Sequence, residues 1–151
     1  KSIFIPAKLA AMRDGWCNLT FYLNNVSISP KNRHFKFIEN SNQKLIVTKS
    51  NNEDFDSIVF ACRNIERAFI PSKIKHITSF SFQSCRDLNE IEFEENSELE
   101  SIGEFAFSRA ALDQIKIPPQ ISQLADSLSR VVFAFKKWIS QKVPNLKELA
   151  R

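Results

Sequence analysis

Three cysteines, two histidines and a run of glutamates are the residues in this chain with chemistry to offer. Cys62 and Cys85 open two nearly identical tetrads, Cys62-Arg-Asn-Ile65 and Cys85-Arg-Asp-Leu88, 23 residues apart. Stacked as equivalent positions of neighbouring strands, their backbones would lie about one strand spacing apart, ~4.8 Å, within the Cα separation that a disulfide spans. Two readings stay open: buried thiols packed as small apolar groups, or a disulfide. The odd count, with Cys17 as the third, speaks against a disulfide framework, and the spacing is not that of a zinc site, so no metal is expected. His34 and His76 have no serine, cysteine or carboxylate placed by spacing to complete a base and nucleophile. Gly15 and Gly103 stand alone, which leaves no glycine-rich phosphate loop. Neither an enzyme nor a cofactor is expected.

Seven glutamates, Glu90, Glu92, Glu94, Glu95, Glu98, Glu100 and Glu104, fall within 15 residues that hold no Lys or Arg. Glu90, Glu92 and Glu94 alternate with Ile91 and Phe93, so the three share the outward face of a strand. Such a stripe either meets a basic partner or a cation, or is a solvated face neutralised by its neighbours. A calcium site would need a loop of ligand spacing, and none is present. The positive charge lies elsewhere. Residues 130–151 hold six Lys or Arg against Glu148, a net +5, so the rest of the chain sums to −1 out of the total of +4. Polyanion binding is therefore not a property of the whole chain. The tail alone raises nucleic acid or an anionic membrane as partners, but its apolar face is better explained by capping. No apolar run approaches the length of a membrane span. The chain opens inside a strand-like motif and reads as an excised fragment, so the lack of a leader decides nothing.

These groups must be held by regular elements, and a repeat supplies them. Counted from Pro71, apolar residues fall at Ile74, Ile77, Phe80, Phe82, Cys85, Leu88, Ile91 and Phe93, and the pattern then begins again. It also runs from Pro6 through Leu9, Met12, Gly15, Cys17, Leu23, Val26 and Ile28, with Thr20 the one departure. A period in the low twenties predicts a solenoid whose stacked rungs share one continuous core and whose strands form a parallel ladder along one side. The long interval from Ser29 to Pro71 reads as a short unit, with a hairpin at residues 34–39 and 44–49 around the polar turn Asn40-Ser-Asn-Gln43. Residues 56–61 are a further strand.

Pro71-x-x-Ile-x-x-Ile-x-x-Phe-x-Phe-x-x-Cys-x-x-Leu-x-x-Ile91, together with Ile102-Gly-Glu-Phe-Ala-Phe107, resembles the BspA-like leucine-rich repeat of bacterial and parasitic-protist surface proteins. The interrupted unit from Ile28 to Ile65 resembles the protist members. The resemblance covers roughly residues 1–128 and departs from the family at Ala110, where a cysteine is usual, and after Leu124. It implies a leucine-rich-repeat solenoid of the α/β horseshoe type and a noncatalytic protein-binding module. It also implies placement at the cell surface and adhesion to host cells or extracellular-matrix protein. The alternative is a cytoplasmic scaffold that binds another protein of the same cell. Two glycosylation acceptor patterns, Asn18-Leu-Thr20 and Asn25-Val-Ser27, lend weak support to export.

From these readings follow a solenoid of five to six rungs over residues 1–130, with an inserted hairpin, and an amphipathic helix over 131–151. The helix sets Val131, Phe135, Trp138 and Ile139 on one face to cap the open end. An uncapped first rung would allow self-association. Rung alignment puts Arg67 beside Glu90 and Lys116 beside Glu92, in an outward row of Phe4, Ser27, Phe69, Glu92 and Lys116. Arg67, Phe69, Glu90, Glu92 and Lys116 are the candidate contacts for a protein ligand. Phe69 is either an exposed anchor or shielded by the hairpin.

Overall fold

The computed structural model describes residues 1–51, 53–112, 115 and 118. The described chain winds about four turns of β-solenoid. Its strands are β1 (Ser2–Ile5), β2 (Asn25–Ile28), β3 (Phe35–Phe37), β4 (Leu45–Lys49), β5 (Phe55–Ala61), β6 (Arg67–Ile70), β7 (His76–Ile77), β8 (Glu90–Phe93) and β9 (Ser101–Ile102). Alternation sets each face. Ala68 and Ile70 of β6 are buried while Arg67 and Phe69 point out, and Ile5 and Val26 are buried beneath Phe4 and Ser27. Ile3, which the alternation turns to the same side as Ile5, is 38% exposed, because no strand other than β2 pairs with β1 among the described residues.

The ladder is not continuous. β1 and β2 form one parallel pair, with Ile5 beside Ile28, and β6 and β8 form another, with Ile70 beside Phe93. The expected outward row therefore splits into Phe4 with Ser27 and Phe69 with Glu92. On the return side β5, β7 and β9 run parallel, stacking Ile58, Ile77 and Ile102 in one buried column. This return path replaces the helix of an α/β horseshoe. Among the described residues there is no helix. A 23-residue rung that already holds two strands and two turns leaves no length for one. The helix expected at 131–151 lies outside the described residues.

The hairpin interrupts the ladder. β3 and β4 pair antiparallel, and β4 pairs antiparallel with β5, close to the bounds that the sequence suggests. β4 is buried on both faces: Leu45 and Val47 join a cluster with Ile58, Ile70 and Phe82, and Ile46 joins another with Ile5, Cys17 and Phe60. The single core expected from stacking is thus two cores with this strand between them. An unbroken apolar run such as Leu45-Ile46-Val47 is what a strand covered on both sides requires.

Three turns share one backbone device, a pair of left-handed residues four apart: Gly15 with Leu19, Phe80 with Ser84, and Phe105 with Arg109. The rung that follows the hairpin lacks this turn. Its chain passes from Ile58 to Arg67 in nine residues, where the next rung takes thirteen from Ile77 to Glu90. Arg63 fills the space left. Its side chain is 3% exposed, while its counterpart Arg86 faces solvent. The guanidinium donates to the carbonyls of Cys17, Thr20, Ala61, Phe80 and Ser81 and to Thr20 Oγ1, and lies 4.5 Å from the Phe60 ring centroid. Thr20 departs from the apolar pattern because it serves Arg63. Gly103 is needed for a different reason: its N–H meets the Ile77 carbonyl at 2.7 Å, and a Cβ there would come within 2.3 Å of the Ser79 nitrogen.

Replacing Arg63 by Met removes charged donors from several carbonyls at ~1 kcal/mol each, so a loss of about 3 kcal/mol or more is expected in urea unfolding. Arg63→Lys should recover less than half, since one ammonium cannot fork between three segments. A lysine variant as stable as the parent would show that charge alone suffices. Gly103→Ala should cost at least ~2 kcal/mol by forcing β7 and β9 apart, and an unchanged midpoint would count against that close approach.

Candidate binding surface

The outward face of β6 and β8 brings together four of the five expected contact residues. Arg67 lies beside Glu90, and its Nη2 is 2.6 Å from Glu90 Oε2. Both side chains are at least half exposed, so the pair contributes only ~0–1 kcal/mol to stability. Phe69 lies beside Glu92, which is exposed and has no ion pair among the described residues. Lys116 lies outside the described residues. Just beyond the ends of the same two strands, the Ser72 N–H donates to Glu94 at 2.7 Å and holds that carboxyl below its ordinary value.

Phe69 is 45% exposed. The hairpin flanks it without covering it, leaving a cleft on either side. One, of about 210 Å³, has a floor of Ile38, Val47, Phe55 and Ile74 and a rim that includes Lys36, Lys73 and Glu94. The other, of about 410 Å³, lies between Phe69 and the hairpin turn and is lined by Asn40, Lys44, Leu45, Ile65 and Arg67. Lys36 and Lys49 stand 4.5 and 5.1 Å from the Phe55 ring centroid, an arrangement held by the ring's negative face. These lysines and the clefts were not legible in sequence. Lys49 meets Phe55 only through register shifts in the pairing of β4 with β5, and no spacing rule encodes those.

The histidines stay apart. His34 offers its carbonyl to Thr48 Oγ1, and His76 Nδ1 pairs with Ser101 Oγ at 2.8 Å. Among the described residues no three His, Cys, Asp or Glu converge as metal ligands, and no helix is long and apolar enough to cross a membrane. Asn18 and Asn25 are both exposed, but the Thr20 hydroxyl is engaged with the Cys17 carbonyl and with Arg63.

The sequence profile of the BspA type leucine rich repeat region matches residues 20–130 in six copies. Among solved structures, the chain is similar to the crystal structure of a leucine-rich repeat protein from Eubacterium ventriosum. The two are 18% identical, with a TM-score of 0.57 over 74% of this chain and 34% of that one. This chain thus spans about a third of that protein's length. No curated protein matches it.

All three cysteines are buried free thiols, and Cys85 Sγ donates to the Cys62 carbonyl rather than bonding its sulfur. Burial pushes the three thiols up, Cys85 to about 11, against the pull of nearby cations. Since the thiolate is the reactive form, a thiol reagent should label the folded protein only as fast as it unfolds, and reduction should leave its mass unchanged. Prompt labelling, or a mass gain of two hydrogens, would instead favour an accessible thiol or a Cys62–Cys85 disulfide.

Proposed function

Because the chain belongs to the BspA type leucine-rich repeat family, we propose that it is a noncatalytic module that binds another protein through the outward face of β6 and β8. The observation that carries this reading is Phe69, a large apolar ring exposed between two clefts, with Arg67, Glu90 and Glu92 as a polar surround. Protein contacts are commonly anchored by such a ring within a charged rim. The finer reading is adhesion, at the cell surface, to host cells or extracellular-matrix protein. It is supported by the likeness to surface proteins. One observation favours the alternative of a scaffold inside the cell: three thiols remain free, as is usual in a reducing compartment.

Binding to immobilised matrix proteins and to host-cell surfaces tests the reading, with Phe69→Ala and Glu92→Lys measured beside the parent. Phe69→Ala should weaken binding by ~2 kcal/mol, about thirtyfold. Binding indifferent to both changes would move the site to the hairpin tip or the return side. Absence of any binding would favour the intracellular scaffold.

A further inference from the structure

Charge is segregated about Phe69. Residues 31–49, which contain the hairpin, carry five Lys or Arg and one carboxylate, a net +4, while residues 90–104 carry seven glutamates and no Lys or Arg. Only part of each segment borders β6: the hairpin turn lines the cleft on one side of Phe69, and Glu90 and Glu92 of β8 lie on the other, while residues 98–104 continue to β9 on the return side. On the basic flank Lys36 and Lys49 have no carboxylate partner among the described residues. On the acidic flank Glu92 and Glu95 likewise have no cation. Glu90 and Glu100 are paired with Arg67 and Lys75, but Lys36, Lys49, Glu92 and Glu95 lack counterions of their own, and an exposed aromatic ring stands between these lysines and these glutamates.

A surface that is positive on one side of an apolar centre and negative on the other is complementary to itself. A twofold rotation about an axis beside the ring exchanges the flanks, laying each hairpin on the other copy's acidic rung and the two rings together at the middle. Such isologous contacts are the commonest way in which identical chains associate. We propose that the β6–β8 face closes on a second copy of this chain in an antiparallel twofold pair centred on Phe69. The proposal rests on this face being a binding surface and goes beyond that reading by naming the partner. It needs no continuation of the ladder beyond β1, and so differs from stacking through an open first rung. Opposed charges give such a contact its register and its salt dependence more than its strength.

Sedimentation equilibrium of the chain alone tests it, with no ligand present, so that failure here leaves the adhesive reading to its own assay. At low ionic strength the protein should dimerise. Its dissociation constant should rise about tenfold or more once salt shortens the screening length below ~10 Å. Lys36→Glu/Lys49→Glu and Glu92→Lys/Glu95→Lys should each be monomeric alone. Mixed in equal amounts they should form a heterodimer as tight as the parent dimer, and Phe69→Asp in either should abolish it. A reversal of equal charge placed elsewhere, Lys8→Glu/Arg13→Glu, should dimerise as the parent does. A chain that stays monomeric at low salt up to ~1 mM, too weak for any specific pair, would overturn the proposal. So would association indifferent to Phe69→Asp and both reversals, or a mixture that fails to restore it.

Discussion

A guanidinium that gives up its water inside a protein, with no carboxylate to meet it, must have its donors matched one by one. Arg63 meets that demand with carbonyls from three segments: the turn at 17–20, the end of β5 at 61, and the turn at 80–81. Much of the solenoid's irregularity follows from this one group. Thr20 replaces a repeat cysteine so that its hydroxyl can accept from the guanidinium. β5 continues to Ala61 without a turn like that at 79–84, and the Arg63 side chain fills the space such a turn would occupy. Phe60 lies against the guanidinium, and Trp16 packs on Phe60 with ring centroids 5.3 Å apart. Because the matched carbonyls lie on both sides of the hairpin in the chain, Arg63 also binds the first turn of the solenoid to those that follow the interruption.

The hairpin could not otherwise be tolerated there. An insert that enters a ladder breaks its hydrogen bonds and opens two apolar cross-sections, and both must be covered. β4 covers them at once, with Ile46 on one side and Leu45 and Val47 on the other. Its loop to β5 is tied by Asp56, whose carboxylate accepts from the Ser50 N–H and hydroxyl and from Ser57. Burial alone would raise that carboxyl, but these donors hold it below its ordinary value. The interruption is thus as well satisfied as the regular rungs.

Regular positions were legible in the sequence because they repeat. The pairing of Arg67 with Glu90 follows from the 23-residue repeat, and the hairpin follows from two strand-like apolar stretches on either side of the polar turn Asn40-Ser-Asn-Gln43. The buried guanidinium was not legible. Cys62-Arg-Asn-Ile65 and Cys85-Arg-Asp-Leu88 are nearly the same tetrad, yet one arginine is inside and the other outside. The difference lies four residues upstream, in a turn that is missing, and only the register of β5 with β7 reveals its absence. The left-handed positions were hidden for a similar reason. Glycine marks such a position at Gly15, where the Phe80 ring lies 3.5 Å from the place a Cβ would take, but Phe80 and Phe105 adopt the same conformation without it. A left-handed conformation costs an L-residue ~1–2 kcal/mol, and stacking of the two rings at 5.5 Å offsets part of that.

The same interruption explains why Phe69 stays open to solvent. In an unbroken ladder the ring would have a strand on each side, and only its face would be available. Here the neighbour on one side is the turn at 40–43, which is too tightly built to fold over it. Asn40, Asn42 and Gln43 are all left-handed, and Lys44 Nζ anchors the turn to the Asn64 carbonyl at 2.9 Å. Held at that distance, the turn leaves clefts on both flanks of the ring instead of a lid. On the other side β8 presents Glu92 rather than a second aromatic, so the apolar exposure is one ring wide with charge beginning at its edge. A solenoid of identical rungs would spread its surface chemistry evenly along the ladder. By inserting a basic hairpin before an acidic rung, this chain gathers an apolar centre, two clefts and opposed charge into one stretch of its surface.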